Sequence, residues 1–248
     1  MSEFSLSDLG KEDFTQDDGA IWTAFFDKRE IDRRFLIITS AGREMFVDGE
    51  LPYQSLKKLF KAYRTAESGR GHPSIRDYLG HGQQAQVFGL SKFAVRETNG
   101  NVPFYPTLSA LDRMNKISAI VEGGIPRWIN VPRTYAVYSD TETGKQYSLM
   151  DRLDSGVTVE DIANFDEVTD HSRARVLKEF GQRPTATQAE DAVRLFNKAE
   201  NFLNAAIIGK GYNPEEYLTD WKMRNVIIEP LTTPVGGERY MLNIIDQN

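Results

Sequence analysis

Apolar positions along the chain switch between a period of two and a period of about 3.6, and each switch marks an element. Residues 1 to about 19 are polar and acidic with little periodicity, which predicts a loose tail. Structure is expected to begin near Ile21. Phe35–Ile38 and Met45–Val47 are apolar runs around Ser40-Ala41-Gly42-Arg43, the pattern of a hairpin. Leu56, Leu59, Phe60 and Tyr63 then recur at helical spacing, and the stretch ESGRGHPS that follows breaks the helix.

From Ile75 the pattern becomes one of short strands. Gly80 to Phe88 reads as strand, turn and strand, and SKFAVRE adds a third strand through a tight connection. Pro106 opens a helix with Leu108, Leu111, Ile117, Ile120 and Val121 on its apolar side. Two further strands flank SDTETGK, so the order is three strands, a helix and two strands. A polar segment, ANFDEVTDHSRARVLKEFGQRPTAT, has some helical character. In the long helix after it, Ala192, Leu195, Phe196, Ala199, Phe202, Leu203 and Ile207 keep the 3.6 period. GKGYNP ends that helix, and the strands NVIIEP and RYMLNIID flank the loop LTTPVGGE. The expected class is α+β.

Composition narrows the chemistry. At 248 residues the chain has room for one core or for two lobes sharing a cleft. A net charge of −6 disfavours a nonspecific nucleic-acid binder. The absence of cysteine removes disulfides, thiolate metal sites and cysteine nucleophiles together. His72, His81 and His171 lack ligand spacing. No apolar run approaches a membrane span, and the acidic N-terminus differs from a signal peptide, so a cytoplasmic protein, or one delivered by a route that leaves no such signal, is expected, with no membrane partner.

Three segments carry candidate chemistry. Gly80-His81-Gly82-Gln83-Gln84-Ala85-Gln86-Val87 matches G-x-G-x-x-G-x-V with Ala85 in the third glycine position. Glycines let backbone amides approach phosphate oxygens, although the same freedom serves a tight hairpin. In the next strand Phe93-Ala94-Val95-Arg96 occupies the place of V-A-I-K. Arg96 keeps the cation but is longer and bulkier than a lysine, and alternation puts Lys92, Ala94 and Arg96 on one strand face. Asp220-Trp221-Lys222-Met223-Arg224-Asn225 sets an aspartate, a lysine and an asparagine directly before an apolar strand. A carboxylate can accept a hydroxyl proton, a lysine can neutralise a phosphoryl group and an asparagine can ligate magnesium. Asp246 ends the partner strand, where a hard-cation ligand can face Asn225 across the hairpin.

In this order, the glycine loop, basic third strand, helix, two strands, long helix, D-x-K-x-x-N and strand-end aspartate resemble the protein kinase-like fold over roughly Ile75 to Asn248. The resemblance implies a two-lobed architecture with an antiparallel small lobe over 75–153 and a shortened, mainly helical large lobe over 154–248. Residues 1–74 form an N-terminal extension packing on or near the small lobe. It implies ATP and magnesium as cofactors. Gly80, Gly82, Ala85 and Val87 would cover the nucleotide, Ala94 would line it, and Arg96 stands where the family has its anchoring lysine, with a carboxylate partner on the following helix for which Asp112 fits better than Glu122. Met150, Asp151 and Leu153 fall in the fifth strand and hinge, whose backbone receives adenine. Asp220 resembles the catalytic base and Lys222 its accompanying lysine, with Asn225 and Asp246 as the magnesium ligands. Leu218-Thr219 replace the family's His-Arg, Asp246-Gln247-Asn248 replace Asp-Phe-Gly, and no activation segment or A-P-E is matched. The implied activity is an atypical, minimal Ser/Thr kinase acting on a protein substrate. The alternatives are a pseudokinase that binds nucleotide or a protein partner without turnover, and a small-molecule phosphotransferase or nucleotidyltransferase.

Overall fold

The computed structural model describes residues 9–15, 21–27, 34–45, 75–81, 85–90, 93–98, 113–120, 126–139, 145–153 and 155–245. The chain divides into two compact units, Met1–Thr107 with Arg133–Arg152, and Leu108–Pro132 with Leu153–Asn248. The class is α+β.

The first unit is built on an antiparallel sheet of eight strands: β1 (Leu9–Thr15), β2 (Ile21–Asp27), β3 (Arg34–Ile38), β4 (Ile75–His81), β5 (Ala85–Leu90), β6 (Phe93–Thr98), β8 (Thr134–Ser139) and β9 (Gln146–Asp151). Their spatial order is β1-β2-β3-β8-β9-β6-β5-β4. Paired residues share a face, so the register sorts the side chains. Phe88, Val95, Leu149, Ala136 and Ile38 are linked by successive pairings, as are Tyr147, Tyr138, Leu36 and Phe25. These two rows form the apolar core of the unit, and helix α1 (Ser40–Met45) lays Ala41 and Met45 against it.

Two expectations for the extension change here. Leu9–Thr15, expected to be a loose tail, is a strand paired along its length with β2. It lies at the sheet edge with Lys11, Glu12, Asp13 and Thr15 exposed, so backbone pairing holds a segment that carries no apolar signal. The hairpin expected around SAGR is instead the helix α1. Thr39 Oγ1 accepts from Gly42 N at 3.2 Å and donates to Thr134 O at 2.6 Å, capping the helix while tying it to β8. A Cβ on Gly42 would lie 2.0 Å from the Tyr135 carbonyl oxygen, so only glycine permits this approach. Val47 and the helix expected from Leu56 to Tyr63 lie outside the described residues.

The second unit centres on a three-stranded sheet, β10 (Val226–Val235), β11 (Glu238–Ile244) and the short β7 (Ile129–Asn130), in the order β10-β11-β7. Its helices are α2, described over 113–120, α3 (Val159–Ala163), α4 (Asp170–Phe180), α5 (Ala186–Gly209) and α6 (Pro214–Tyr217). Thr185 caps α5 in a box with Gln188, and Ala192, Leu195, Phe196, Ala199, Leu203 and Ile207 are buried along it. Phe202, counted on the same face from its spacing, is 40% exposed and meets Trp128 edge-on at 6.0 Å. Ile117 and Ile120 of α2 are buried in the same core. Among the described residues no helix is long and apolar enough to cross a membrane.

The loop expected over LTTPVGGE shrinks to a two-residue turn. Strand β10 continues through Pro230 to Val235 across a register irregularity, and Gly236 and Gly237 turn the chain with φ of 60° and 84°. Glu238, directly after the turn, is 7% exposed and is gripped from α5 by Arg194 Nη2 at 3.1 Å and Lys198 Nζ at 2.6 Å. Burial pushes the Glu238 carboxyl up, but the hydrogen bonds from Arg194 and Lys198 outweigh it and hold the group below its ordinary 4.5. A depressed carboxylate stabilises the fold above its unfolded pKa and loses that contribution as pH falls through the folded value. Glu238→Gln is therefore expected to lower unfolding stability at neutral pH by about 1–3 kcal/mol. Urea titrations of both proteins at a series of pH values should show the difference shrinking below pH 4.5.

Candidate functional site

In the first unit, one sheet face collects most of the candidate nucleotide residues. Val87 pairs with Arg96, Arg96 with Ser148, and Ala94 with Met150. Gly80 pairs with Val87, and Ala85, two positions before Val87, pairs with Thr98 on the same face. Gly80, Ala85, Val87, Ala94, Arg96 and Met150 thus share a face opposite the Phe88–Val95–Leu149 row. Ala94 is 3% exposed and Arg96 half-buried. The hairpin joining β4 to β5 is present, as the spacing of Gly80 to Phe88 predicts. Gly82 lies outside the described residues, as does Asp112.

Asp151 falls on the other face. It pairs with Phe93, and its Oδ2 accepts from Arg133 N at 2.9 Å while Oδ1 accepts from the Tyr135 hydroxyl. Arg133 also lies over the Tyr135 ring at 5.6 Å. Burial, followed by the hydrogen bond to Asp151, pushes the Tyr135 phenol up to about 12, so it stays protonated as a donor. The Asp151 side chain therefore braces β8 against the end of β9, and its backbone amide is taken as well, donating to Arg133 O at 3.0 Å. Leu153 is half-buried in the coil that follows.

In the second unit, Asp220, Lys222 and Asn225 come together. Trp221 stacks on Phe196 of α5 at 4.8 Å, which anchors the segment to the core helix. Met223–Asn225 then forms one 3₁₀ turn, closed by Asn225 N donating to Lys222 O at 2.8 Å. The turn swings the Asn225 amide back, so that Nδ2 donates to Asp220 Oδ2 at 2.8 Å and to Asp220 O at 3.0 Å. Lys222 pairs with Asp220 Oδ1. The Lys222 hydrogen bond, helped by Asn225 and opposed by burial, holds the Asp220 carboxyl below its ordinary 3.8.

The chain end returns to the same place. Val226 pairs with Ile244, and Ile245 N donates to Asn225 O at 3.1 Å. Asp246, the next residue, lies outside the described residues. Both side-chain hydrogen bonds of Asn225 use Nδ2, which leaves Oδ1, a hard oxygen suited to magnesium. Among the described residues no three His, Cys, Asp or Glu side chains converge on a metal position. Magnesium commonly binds through one or two carboxylates together with substrate phosphates and water; the described segment offers it the Asn225 amide oxygen, while its carboxylate, Asp220, is taken by Lys222 and Asn225.

Sequence reasoning missed two features of this unit. Asn130 Nδ2 donates to Asn243 Oδ1 at 2.7 Å on the sheet face that also carries Ile227, and Asn243 is fully buried with its own Nδ2 unpartnered. The alternation of Leu242, Asn243 and Ile244 was the available signal. A groove of about 790 Å³ also runs beside α5, lined by Ala163, Asn164, Val193, Asn197, Asn201 and, at the D-x-K-x-x-N segment, Met223. It draws residues from α5 and from the end of α3, a combination that no local spacing reports.

No family model matches the chain, and no curated protein matches it. The geometry of Asp220 makes its own test. Followed by carboxyl NMR, Asp220 should titrate below 3.8 in the unaltered protein and move upward in Lys222→Ala. Stability supplied by the pair is present above pH 3.8 and lost as pH falls through the lowered value. An unmoved midpoint in Lys222→Ala would show that the ion pair does not set the Asp220 charge.

Proposed function

We propose that the protein is an ATP- and magnesium-dependent phosphotransferase of the protein kinase-like kind, acting on a protein hydroxyl with Asp220 as base. The observation that carries this reading is the closed constellation of Asp220, Lys222 and Asn225, with the amide of Ile245 bonded to Asn225. The three residue types that a kinase needs after its long helix are within hydrogen-bonding distance of one another, at the entrance to a β-hairpin. The shared face of Gly80, Val87, Ala94, Arg96 and Met150 supports the same reading from the first unit.

Asp220 accepts a hydrogen bond from the attacking hydroxyl and takes its proton as that oxygen bonds the γ-phosphorus of ATP and the bond from this phosphorus to the β–γ bridging oxygen breaks, with ADP leaving. Its lowered proton affinity makes it a weak base, which suits phosphoryl transfer, where orientation and charge neutralisation supply most of the catalysis. Lys222 keeps Asp220 ionised and offers its ammonium to the transferring phosphoryl group. Asn225 Oδ1 and Asp246 would hold magnesium, which when bound neutralises the charge on the phosphates. Arg96 supplies a cation on the Ala94 face for the remaining phosphates. The groove, lined in part by Met223, takes lining residues over about 18 Å of α5, from Ala189 to Asn201, a length that favours a polypeptide acceptor over a small molecule.

A second reading, nucleotide binding without turnover, is favoured by Arg96, whose planar fork differs from the lysine expected there. Mass spectrometry of the purified protein incubated with magnesium ATP separates the readings. A phosphoryl adduct on the protein or on an added protein acceptor supports transfer, and an adenylyl adduct would redirect the assignment to nucleotidyl transfer. Asp220→Ala is expected to reduce phosphoryl transfer about 10²- to 10⁴-fold. Asn225→Ala should abolish the magnesium dependence of nucleotide-induced thermal stabilisation. Unchanged transfer in Asp220→Ala would remove the base assignment.

A further inference from the structure

The segment that opens the second unit's second stretch is held by side chains remote in sequence. Ser155 N donates to Glu229 Oε1 of β10 at 3.1 Å, and Gly156 N donates to Glu179 Oε1 of α4 at 3.3 Å. The Ser155 hydroxyl donates to Glu179 Oε2 and accepts from Val157 N at 3.1 Å. Arg175, one turn before Glu179 on α4, donates from Nη1 to Gly156 O at 2.5 Å. Ile228 N closes the set on Val157 O at 2.8 Å. Ser155 is 9% exposed, and the bonds to Glu229, Glu179 and Arg175 are part-buried. Two carboxylates on adjacent backbone amides are charge-assisted acceptors, stronger than neutral ones. An ordinary surface loop would leave such amides to solvent.

We propose that Glu179 and Glu229 form a carboxylate clamp that fixes Ser155 and Gly156, and that both are positioning residues for the nucleotide site. This rests on the nucleotide-binding reading given above. Leu153, at the end of the backbone that would receive the base, lies two residues before Ser155. Freezing Ser155 limits the conformations open to Leu153, so the ordering cost is met during folding and not on binding. The clamp touches neither nucleotide nor acceptor. It also gives α4, polar on most of its surface with Val176 as its one buried residue, a role beyond filling the core.

The test uses the full chain with Glu179→Ala, Glu229→Ala and Ser155→Ala, read in two ways. Amide hydrogen exchange at Ser155 and Gly156 should quicken about tenfold for each bond lost, with protection along α5 unchanged. Calorimetry with magnesium ATP should show weaker binding, about fivefold or more, and any transfer activity should show a raised KM for ATP with kcat nearly unchanged. Glu179→Gln keeps one acceptor oxygen and should fall between Glu179→Ala and the unaltered protein. If Glu179→Ala does not fold, Ser155→Ala, which removes the hydroxyl bonds to Glu179 and from Val157 N, decides the matter by exchange at Val157 and by the same ATP binding measurement. Unchanged exchange in the variants overturns the clamp. Faster exchange with unchanged ATP affinity overturns the positioning role and leaves a structural clamp. Failure of the unaltered protein to bind ATP overturns the functional reading and the positioning role together, while exchange still reports on the clamp.

Discussion

The ladder between β10 and β11 is the constraint on which the second unit depends. With Val226 opposite Ile244 and Ile228 opposite Leu242, the apolar residues of both strands fall on one side and close over α5 as a single core. The positions between them, Ile227 and Asn243, fall on the other side, and the 3₁₀ turn ending at Asn225 leads into the ladder. A slip of one residue would drive the Asn243 amide into that core and put Ile244 on the opposite face. The Gly236–Gly237 turn sets this register at one end, and Glu238, bound to Arg194 and Lys198, fastens the turn to the helix. The candidate site thus stands where it does because an apolar ladder cannot shift without exposing its core.

The same alternation organises the first unit. Arg96 sits between two core positions in sequence, yet it shares its face with Ala94 and Met150 because Val95 and Glu97 point the other way. The N-terminal extension serves this sheet. Strand β8 would be an open edge without β3, and pairing Leu36, Ile37 and Ile38 with it moves the edge outward to β1. The exposed charges on β1 then discourage further pairing. Arg43 joins Thr23 and Asp13 in one hydrogen-bonded group, so α1, β1 and β2 are tied as well as stacked.

The aspartate at the centre of the candidate site is held by the residues assigned to assist it. Asp220 has one oxygen on Lys222 and the other on Asn225. The arrangement keeps the carboxylate ionised between two donors, at modest desolvation cost because the group is only partly buried.

Much of this was legible along the chain because it depends on local spacing. The burial of Ala192, Leu195, Phe196, Ala199, Leu203 and Ile207 follows from a 3.6 period, and the β8–β9 pair follows from two short apolar runs around a polar turn. The proximity of Asp220, Lys222 and Asn225 was also local, needing only a tight turn over six residues. The strand at Leu9–Thr15 was not legible, since a charged edge strand is held by backbone bonds that leave no apolar pattern. Nor was α1, whose helical state rests on Thr39 and Gly42 meeting β8 almost a hundred residues on. Sequence by itself determined the periods, the turns and the residue types available for chemistry. Tertiary structure alone decided that Asp151 turns to Tyr135, that Glu179 and Glu229 converge on Ser155 and Gly156, and that Asn243 is buried beside Asn130. Each of these rests on groups distant in the chain, whose meeting is set by sheet register and helix packing and by no local preference.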